Sequence, residues 1–505
     1  MSFQPGFNFD NSYATELEGL YVPWQGEKAP APIIVQLNRS LAVELGLDPD
    51  SLTSPEGAAF FAGSLMPEGA SPLAQAYAGH QFGGFSPQLG DGRALLVGEL
   101  FDSHGQRRDL HLKGSGKTPF SRGGDGKAAL GPVLREYLIG EAMHALNIPT
   151  TRALAAVTTG EQIIREGWLP GAVLARIAAS HLRIGTFQYF AAREDTANLR
   201  RLADYAIQRH DPALIGDRTD EHGPYLGLLR AVIDRQAELV AKWMSVGFVH
   251  GVMNTDNMTL SGETIDYGPC AFIDHYDAGA VFSSIDTGGR YAYGNQPGIA
   301  QWNLTRFAET LLDLIDPDDI DRAIRMATEE INLFPAKYQS FWLGEFRAKL
   351  GLTGGDEQDL KLVIDLFAAM KGQKVDFSQM FRRLADEARK LKDPTTTSVS
   401  TSPMTDLFDD PTAIMEWQPR WLTRLHREDQ APATRAAAMD RINPLYIPRN
   451  HQVEQALQSA NNADFAPFEK LLNVLGAPYD RRDGLEDFET PAPADFGKYT
   501  TFCGT

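Results

Sequence analysis

The chain has 505 residues, with 47 basic and 66 acidic side chains, a net charge of −19, and 43% hydrophobic residues. That is ordinary globular composition, which excludes a wholly disordered or collagen-like chain, and so acidic a chain is a poor general binder of nucleic acid or anionic membrane. Its two cysteines, Cys270 and Cys503, exclude a disulfide-rich scaffold and a four-cysteine zinc site. The first residues lack the basic start and apolar core of a signal peptide, and no apolar run reaches the roughly 18 residues a spanning helix needs. The expected location is therefore the bacterial cytoplasm, with neither a membrane nor a nucleic-acid partner. A chain of this length holds its own large core and is compatible with a monomer.

In chain order, residues 1–70 read as an extension, mostly coil, with one amphipathic helix at 37–47. Residues 71–172 read as a β-rich unit. Strands are predicted at 94–101 and 109–114 around a turn at 102–106, and again at 152–159 and 161–166, turning at Gly160. Between these pairs, 132–146 shows a helix pattern with Pro132 in its first turn. Beyond about 175 the pattern is helical. A long helix at 229–247 ends at a glycine, and further helices are predicted at 304–315, 321–332, 360–371 and 377–392. Residues 173–390 thus form a helical unit, 391–475 a linker (392–406) with a helical region, and 476–505 an extended tail. The expected class is α+β.

The stretch 107–127, RRDLHLKGSGKTPFSRGGDGK, carries six basic residues against two acidic ones. Gly-rich backbone beside Lys and Arg suits a polyphosphate, although a solvated hairpin has the same composition. QLGDGR (88–93) is a second candidate phosphate-covering loop. Neither contains G-x-x-x-x-G-K-[ST], which argues against a P-loop NTPase. Lys113 ends a strand, and Glu136 lies on the following helix. A strand lysine held by a helix glutamate is how kinases place a lysine on nucleotide phosphates, with Glu141 as the competing partner. Arg176 and Arg183 are seven residues apart, so a helix would set both on one face toward phosphates.

The richest stretch is VHGVMNTDNMTLSGETIDYGP (249–269). Asn257 follows His250 by seven residues, as in a kinase catalytic loop, and Asp266-Tyr267-Gly268 stands where D-F-G would. Asn257 and Asp266 together suit a magnesium ion. The aspartate expected two residues after His250 is Val252, and Asp256 stands beside Asn257 instead. Either the chain is a non-catalytic scaffold, or it runs different chemistry with Asp256 as base.

Taken together, AYAGHQFGGFSPQLGDGRA (76–94), the run 109–138, HGVMNTDNM (250–258) and the run 283–309 closely resemble the selenoprotein O family over nearly the whole chain. The resemblance implies a protein-kinase-like two-lobed fold, with a β-rich N-lobe, a helical C-lobe and terminal extensions. It implies transfer of AMP from ATP to Ser, Thr or Tyr hydroxyls of proteins. Gly90, Gly92, Arg93, Lys113, Asp125, Gly126, Glu136, Arg176, Arg183 and Asp266 would contact the nucleotide. Asn257 and Asp266 would hold Mg²⁺, with Mn²⁺ and UTP also open, and Asp256 would accept the proton. γ-Phosphoryl transfer and a nucleotide-binding scaffold stay as alternatives. Animal members carry selenocysteine near the C-terminus where this chain has Cys503. A reversible Cys270–Cys503 disulfide holding the tail over the cleft is a further expectation.

Overall fold

The computed structural model describes residues 5–216, 223–391 and 402–502. It is a mixed α/β structure in which one antiparallel sheet occupies the first third and helices follow. The extension contributes α1 (Ser12–Glu16), β1 (Tyr21–Pro23), β2 (Ile33–Leu37), α2 (Arg39–Glu44), α3 (Pro49–Leu52) and α4 (Pro55–Phe61). It therefore holds four helices and two strands where one helix was expected, although most of its described residues are still outside regular elements. The side chains of Asn38, Asp48 and Ser54 cap three of these helices, and prolines open two of them.

Next come β3 (Leu73–Gln75), the small hairpin β4 (Gly79–Gln81) and β5 (Gly84–Ser86), β6 (Ala94–Phe101), β7 (Arg107–Lys113), β8 (Ala128–Ala129), α5 (Leu130–Ala145), β9 (Arg152–Ile164) and β10 (Trp168–Ala178). The main sheet runs β1-β3-β6-β7-β10-β9-β2, with β8 on β10. Alternation along the strands feeds two cores. Leu96, Ala156 and Leu174 pack with α5 and the helical part, whereas Val97, Leu110, Leu112, Val157 and Val173 pack under Leu41, Leu52, Phe60 and Phe61 of the extension. The extension is the lid of the sheet's second face. That burial is why a segment so rich in proline and glycine is ordered.

Two sequence expectations are corrected here. Gly160 does not turn a hairpin: 152–164 is one strand, the pairing slips between Pro170 and Ala172, and Gly160 (φ 80°) sits in that irregularity. The actual turn is at 165–167. The helical pattern also does not begin at 175, because β10 continues to Ala178.

The remainder comprises α6 (Ile184–Ala191), α7 (Thr196–His210), α8 (Pro224–Val246), a short pair β11 (Phe248–Val249) and β12 (Ala271–Phe272), α9 (Gln296–Ile315), α10 (Ile320–Lys349), α11 (Asp359–Met370), α12 (Phe377–Lys390), α13 (Thr412–Leu425), α14 (Pro432–Asp440), α15 (Asn450–Asn461) and α16 (Ala466–Leu475). α8 ends at Gly247 in the left-handed conformation, as its sequence predicts. The segment after α16 is largely irregular and returns to the loop between β12 and α9, where Thr501 bridges Ser283. Among the described residues no helix is long and apolar enough to cross a membrane. Most of the predicted 392–406 linker, and Cys503, lie outside the described residues.

Candidate active site

A cleft of about 940 Å³ opens between the sheet, α5 and the loop after β11. Its centre is Asp266, held at φ 63°, a left-handed backbone that few residues other than glycine adopt. Three cations converge on this carboxylate. Lys113 Nζ and Arg176 Nη1 each donate to Oδ1 at 2.6 Å, and Arg183 Nη1 donates to Oδ2 at 3.3 Å. Burial alone would raise the Asp266 carboxyl, but Lys113, Arg176 and Arg183 outweigh it and hold the group well below the usual carboxylate range. Lys113 also binds Glu136 of α5. Glu141 is engaged elsewhere, by Arg152 and the Ala153 amide.

Arg176 and Arg183 do not share a helix face. Arg176 lies on β10 directly opposite His111 of β7, and Arg183 immediately precedes α6. The two guanidiniums still meet at Asp266, from two elements. Arg183 lines the cleft and stacks over Tyr77 at 4.5 Å, whereas Arg176 stands behind the carboxylate. His111 sets the orientation of Arg176. Its Nδ1 accepts from Arg176 Nε at 3.2 Å, and its Nε2 lies 3.2 Å from Asp91 Oδ2. Burial, then Arg176 and Arg183, push this imidazole well below its usual range, so it is neutral, with Nε2–H donating to Asp91. One histidine thus ties the β7 face that bears Lys113, the arginine on Asp266 and the 88–93 loop.

The two Gly-rich loops pack on each other as one wall of the cleft. A Cβ on Gly90 would fall 2.3 Å from the Phe120 ring, and one on Gly126 would fall 2.2 Å from the Gly116 backbone, both at positive φ. Gly90, Gly92, Arg93, Arg122, Asp125, Gly126 and Lys127 all line the cleft. Asp125 is held by Arg165, at 2.8 Å. The basic stretch 107–127 is divided: Arg107 and Arg108 pair with Asp10 and Asp102 at the far end of the hairpin, and Lys117 does not line the cleft.

The opposite wall carries Val252, Asn254, Asp256 and Asn257. His250 is structural: its Nε2 donates to the Ile265 carbonyl and its Nδ1 accepts from the Val252 amide, so it locks the loop to the residue before Asp266. Asp256 lies in a short turn, Thr255–Asn257. Its Oδ2 accepts from Gln81 of the β4–β5 hairpin at 3.3 Å, and its Oδ1 is buried with no hydrogen-bond partner among the described residues. Burial, only partly offset by Arg183, pushes its carboxyl up to about 6. The Asn257 amide nitrogen donates to the Val252 carbonyl at 2.9 Å, which leaves Oδ1 as its ligand atom.

The third wall is the tail, expected over the cleft through a Cys270–Cys503 disulfide, although the residues that build the wall were not picked out. Lys498, Tyr499, Thr501 and Phe502 of the tail line the cleft. Arg135 of α5 joins them to the segment after Asp266: it donates to the Gly268 and Cys270 carbonyls and to Tyr499 OH. Cys270 is fully buried, which pushes its thiol up to about 11, and its expected partner Cys503 lies outside the described residues. Sequence reasoning also missed Tyr77, Gln81, Asp91, His111 and Arg165. Period-two alternation was the available signal for one of them, since it puts His111 on the face of Lys113.

The sequence profile of the family described as protein adenylyltransferase SelO matches residues 6–476. A protein nucleotidyltransferase YdiU of Cereibacter sphaeroides is 58% identical over 501 residues, covering 99% of this chain and all of the relative. Proteins of the same name from Rhizobium meliloti and a Mycobacterium species are each 54% identical, with 99% of this chain and 99% of each relative covered. An open, cation-lined cleft with two acidic residues in opposed electrostatic states accompanies this match along almost the full chain, and the chain belongs to the SelO family, as an enzyme of the nucleotidyltransferase class.

Proposed function

We propose that the protein transfers AMP from ATP to Ser, Thr or Tyr hydroxyls of other proteins, on a kinase-like two-lobed scaffold with residues 71–172 and 173–390 as its lobes. The acceptor oxygen attacks the α-phosphorus, the bond from that phosphorus to the α,β-bridging oxygen breaks, and pyrophosphate departs. Asp256 takes the hydroxyl proton. A single observation carries the reading: Val252, which cannot accept a proton, lines the cleft where a kinase base would stand, while Asp256 nearby offers a buried carboxylate oxygen with no partner among the described residues. A carboxyl at about 6 is ionised at neutral pH yet more basic than an ordinary aspartate, as general-base catalysis favours.

Lys113, Arg183, Arg93 and the basic residues of the Gly-rich wall would bind the phosphates and offset charge on the departing pyrophosphate. Among the described residues no group of three or more His, Cys, Asp or Glu side chains forms a metal cage. Magnesium binds through one or two protein oxygens and completes its shell with phosphate and water. Asp266 and Asn257 are the oxygen donors that would hold it. When bound, the ion neutralises phosphate charge. Lys113 and the two arginines hold Asp266 ionised and oriented for it.

The Lys113–Glu136 pair beside Asp266 is also the arrangement that γ-phosphoryl transfer uses, so the test must separate the two. Purified protein is incubated with Mg²⁺, a bacterial lysate and ATP labelled on the α- or γ-phosphate. Label on protein from the α-position alone is expected. Label from γ alone would establish a kinase with an unexpected base. No label from either, with ATP still bound, would establish a scaffold.

A further inference from the structure

The β4–β5 hairpin has two sides. One side closes on the base: Gln81 reaches Asp256, and the His80 amide donates to Thr255 Oγ1 at 2.7 Å. The other side looks away from the nucleotide cleft. At its tip Phe82 and Gly83 both have positive φ, and a Cβ on Gly83 would lie 3.7 Å from the guanidinium carbon of Arg290. The tip is anchored by the Phe82 amide, which donates to Asn254 Oδ1 and Tyr291 OH.

Around this tip lies a patch that the nucleotide chemistry leaves unused. Arg290 stacks 4.7 Å over Trp302, and Arg306 stacks on the same ring at 5.2 Å. The His80 ring meets Trp302 edge-on at 5.3 Å and packs beside Phe85, which is 42% exposed. Neither Arg290 nor Trp302 lines the cleft. Arg306 is paired with Glu309 at 2.7 Å. Arg290 has no ion pair with a described carboxylate, and its Nε and Nη2 atoms are buried without a hydrogen-bond partner among the described residues. Buried donors left unpaired are costly.

We propose that this patch seats the acceptor polypeptide and that Arg290 takes an acidic side chain of it, next to the hydroxyl presented to Asp256. The assignment rests on the function proposed above and adds a substrate class to it. The guanidinium fork suits a carboxylate, the Trp302 and Phe85 rings suit the backbone and apolar atoms beside it, and the position outside the cleft argues against nucleotide phosphate. From Gly79, which touches Asp256, to Gly83, which faces Arg290, the hairpin spans at most about 13 Å at strand rise. An extended acceptor would then carry its acidic residue about three or four positions from the hydroxyl.

Two synthetic peptides test this, each with one acceptor hydroxyl and with Glu or Ala at the third and fourth positions on either side. The wild type should modify the Glu peptide with a kcat/KM about tenfold higher or more, as one charge-assisted hydrogen bond allows. That advantage should shrink as salt rises. Arg290→Gln should bring the Glu peptide down to the level of the Ala peptide, and Arg290→Lys should recover part of the difference. Calorimetric Mg·ATP affinity should be the same in all three proteins, which also verifies their folding. Equal α-label on both peptides by the wild type, or a preference that survives in Arg290→Gln, would overturn the docking assignment and leave nucleotidyl transfer standing. Binding of a fluorescent Glu peptide that is lost in Arg290→Gln, with no α-label on either peptide, would reject the AMP-transfer reading and keep the docking face. Neither binding nor label would reject both.

Discussion

Two buried charge clusters stand on the same sheet and behave differently. In the cleft, Lys113, Arg176 and Arg183 surround Glu136, Asp266 and Asp91, three cations for three carboxylates, and Asp266 retains 19% side-chain exposure. At the other end of β6 and β7, Arg209 bridges Glu99 and Asp109 at 2.5 Å each, with Arg107 near Glu99, and Glu99 and Asp109 are almost fully sealed. The sealed cluster is charge-balanced and saturated: Tyr205 OH donates to Glu99, and the His181 amide donates to Asp109. It joins α7 to the sheet and has nothing left to offer a ligand. The cleft cluster has an open side, so its partners can be exchanged for phosphate. Burial of ions therefore does not by itself mark a site; a charged cluster that keeps an open side does.

Four substitutions sharpen that contrast. The largest effect is expected from Asp266→Ala, which should lower AMP transfer by about 10³-fold or more while the chain stays folded, because the lost group is one whose charge the cleft is arranged to present. Label transfer and circular dichroism measure the two halves; unaltered transfer would remove Asp266 from the site. Arg209→Met should do the reverse. It strands Glu99 and Asp109 in the interior and should cost about 3–5 kcal/mol in urea unfolding. Activity per folded molecule should stay within a few-fold, and a protein of wild-type stability would contradict the structural role assigned to this cluster.

Asp256→Asn should slow transfer by about 10²-fold with nucleotide affinity retained. In the wild type the base must be ionised, so kcat/KM should rise with pH up to about 6 and then level, and the Asn variant should lack that rise. Stability should move the opposite way. A carboxyl raised from 3.8 to about 6 by folding binds its proton more tightly in the folded state, so the wild type loses stability as pH climbs through that window. The full loss is of order 3 kcal/mol. Asp256→Asn is therefore expected to resist urea better than the wild type at pH 7.5 and equally well near pH 3.5. The smallest effect is expected from His111→Ala. Freed at Nε, Arg176 holds Asp266 less rigidly, and kcat should fall by about tenfold at nearly constant nucleotide affinity. A change in affinity alone would assign His111 a merely structural part.

The lysine, glutamate and aspartate of the cleft were legible because each sits in a local pattern: a strand end, a helix face and a short polar loop. Val252 beside Asp256 was equally visible as a departure from that pattern. Arg176 and Arg183 do meet at Asp266, but not from one helix face. Their seven-residue spacing fits a helix, but β10 runs on through Ala178 because its alternate residues feed both cores of the sheet. Gly160 misled for a related reason, since an isolated glycine between apolar runs reads the same whether it turns the chain or bulges it. The hairpin at 79–86, the role of His111 and the wall made by residues 498–502 depend on partners far away in sequence. Nothing local announces that Gln81 will meet Asp256 or that Thr501 will meet Pro269.

That last contact has a consequence in time. Thr501 accepts from the Ser284 amide and donates to the Phe282 and Pro269 carbonyls, and Tyr499 reaches Glu454 and Arg135. Every other wall of the cleft is built from residues at or before 461. A ribosome adding about 5–20 residues per second makes Asp266 roughly ten seconds or more before it makes Thr501. A nascent chain therefore has its phosphate-binding walls while the segment that closes the third side is still unmade, and a translation product that stops short of 498 would carry the cleft with one side permanently open.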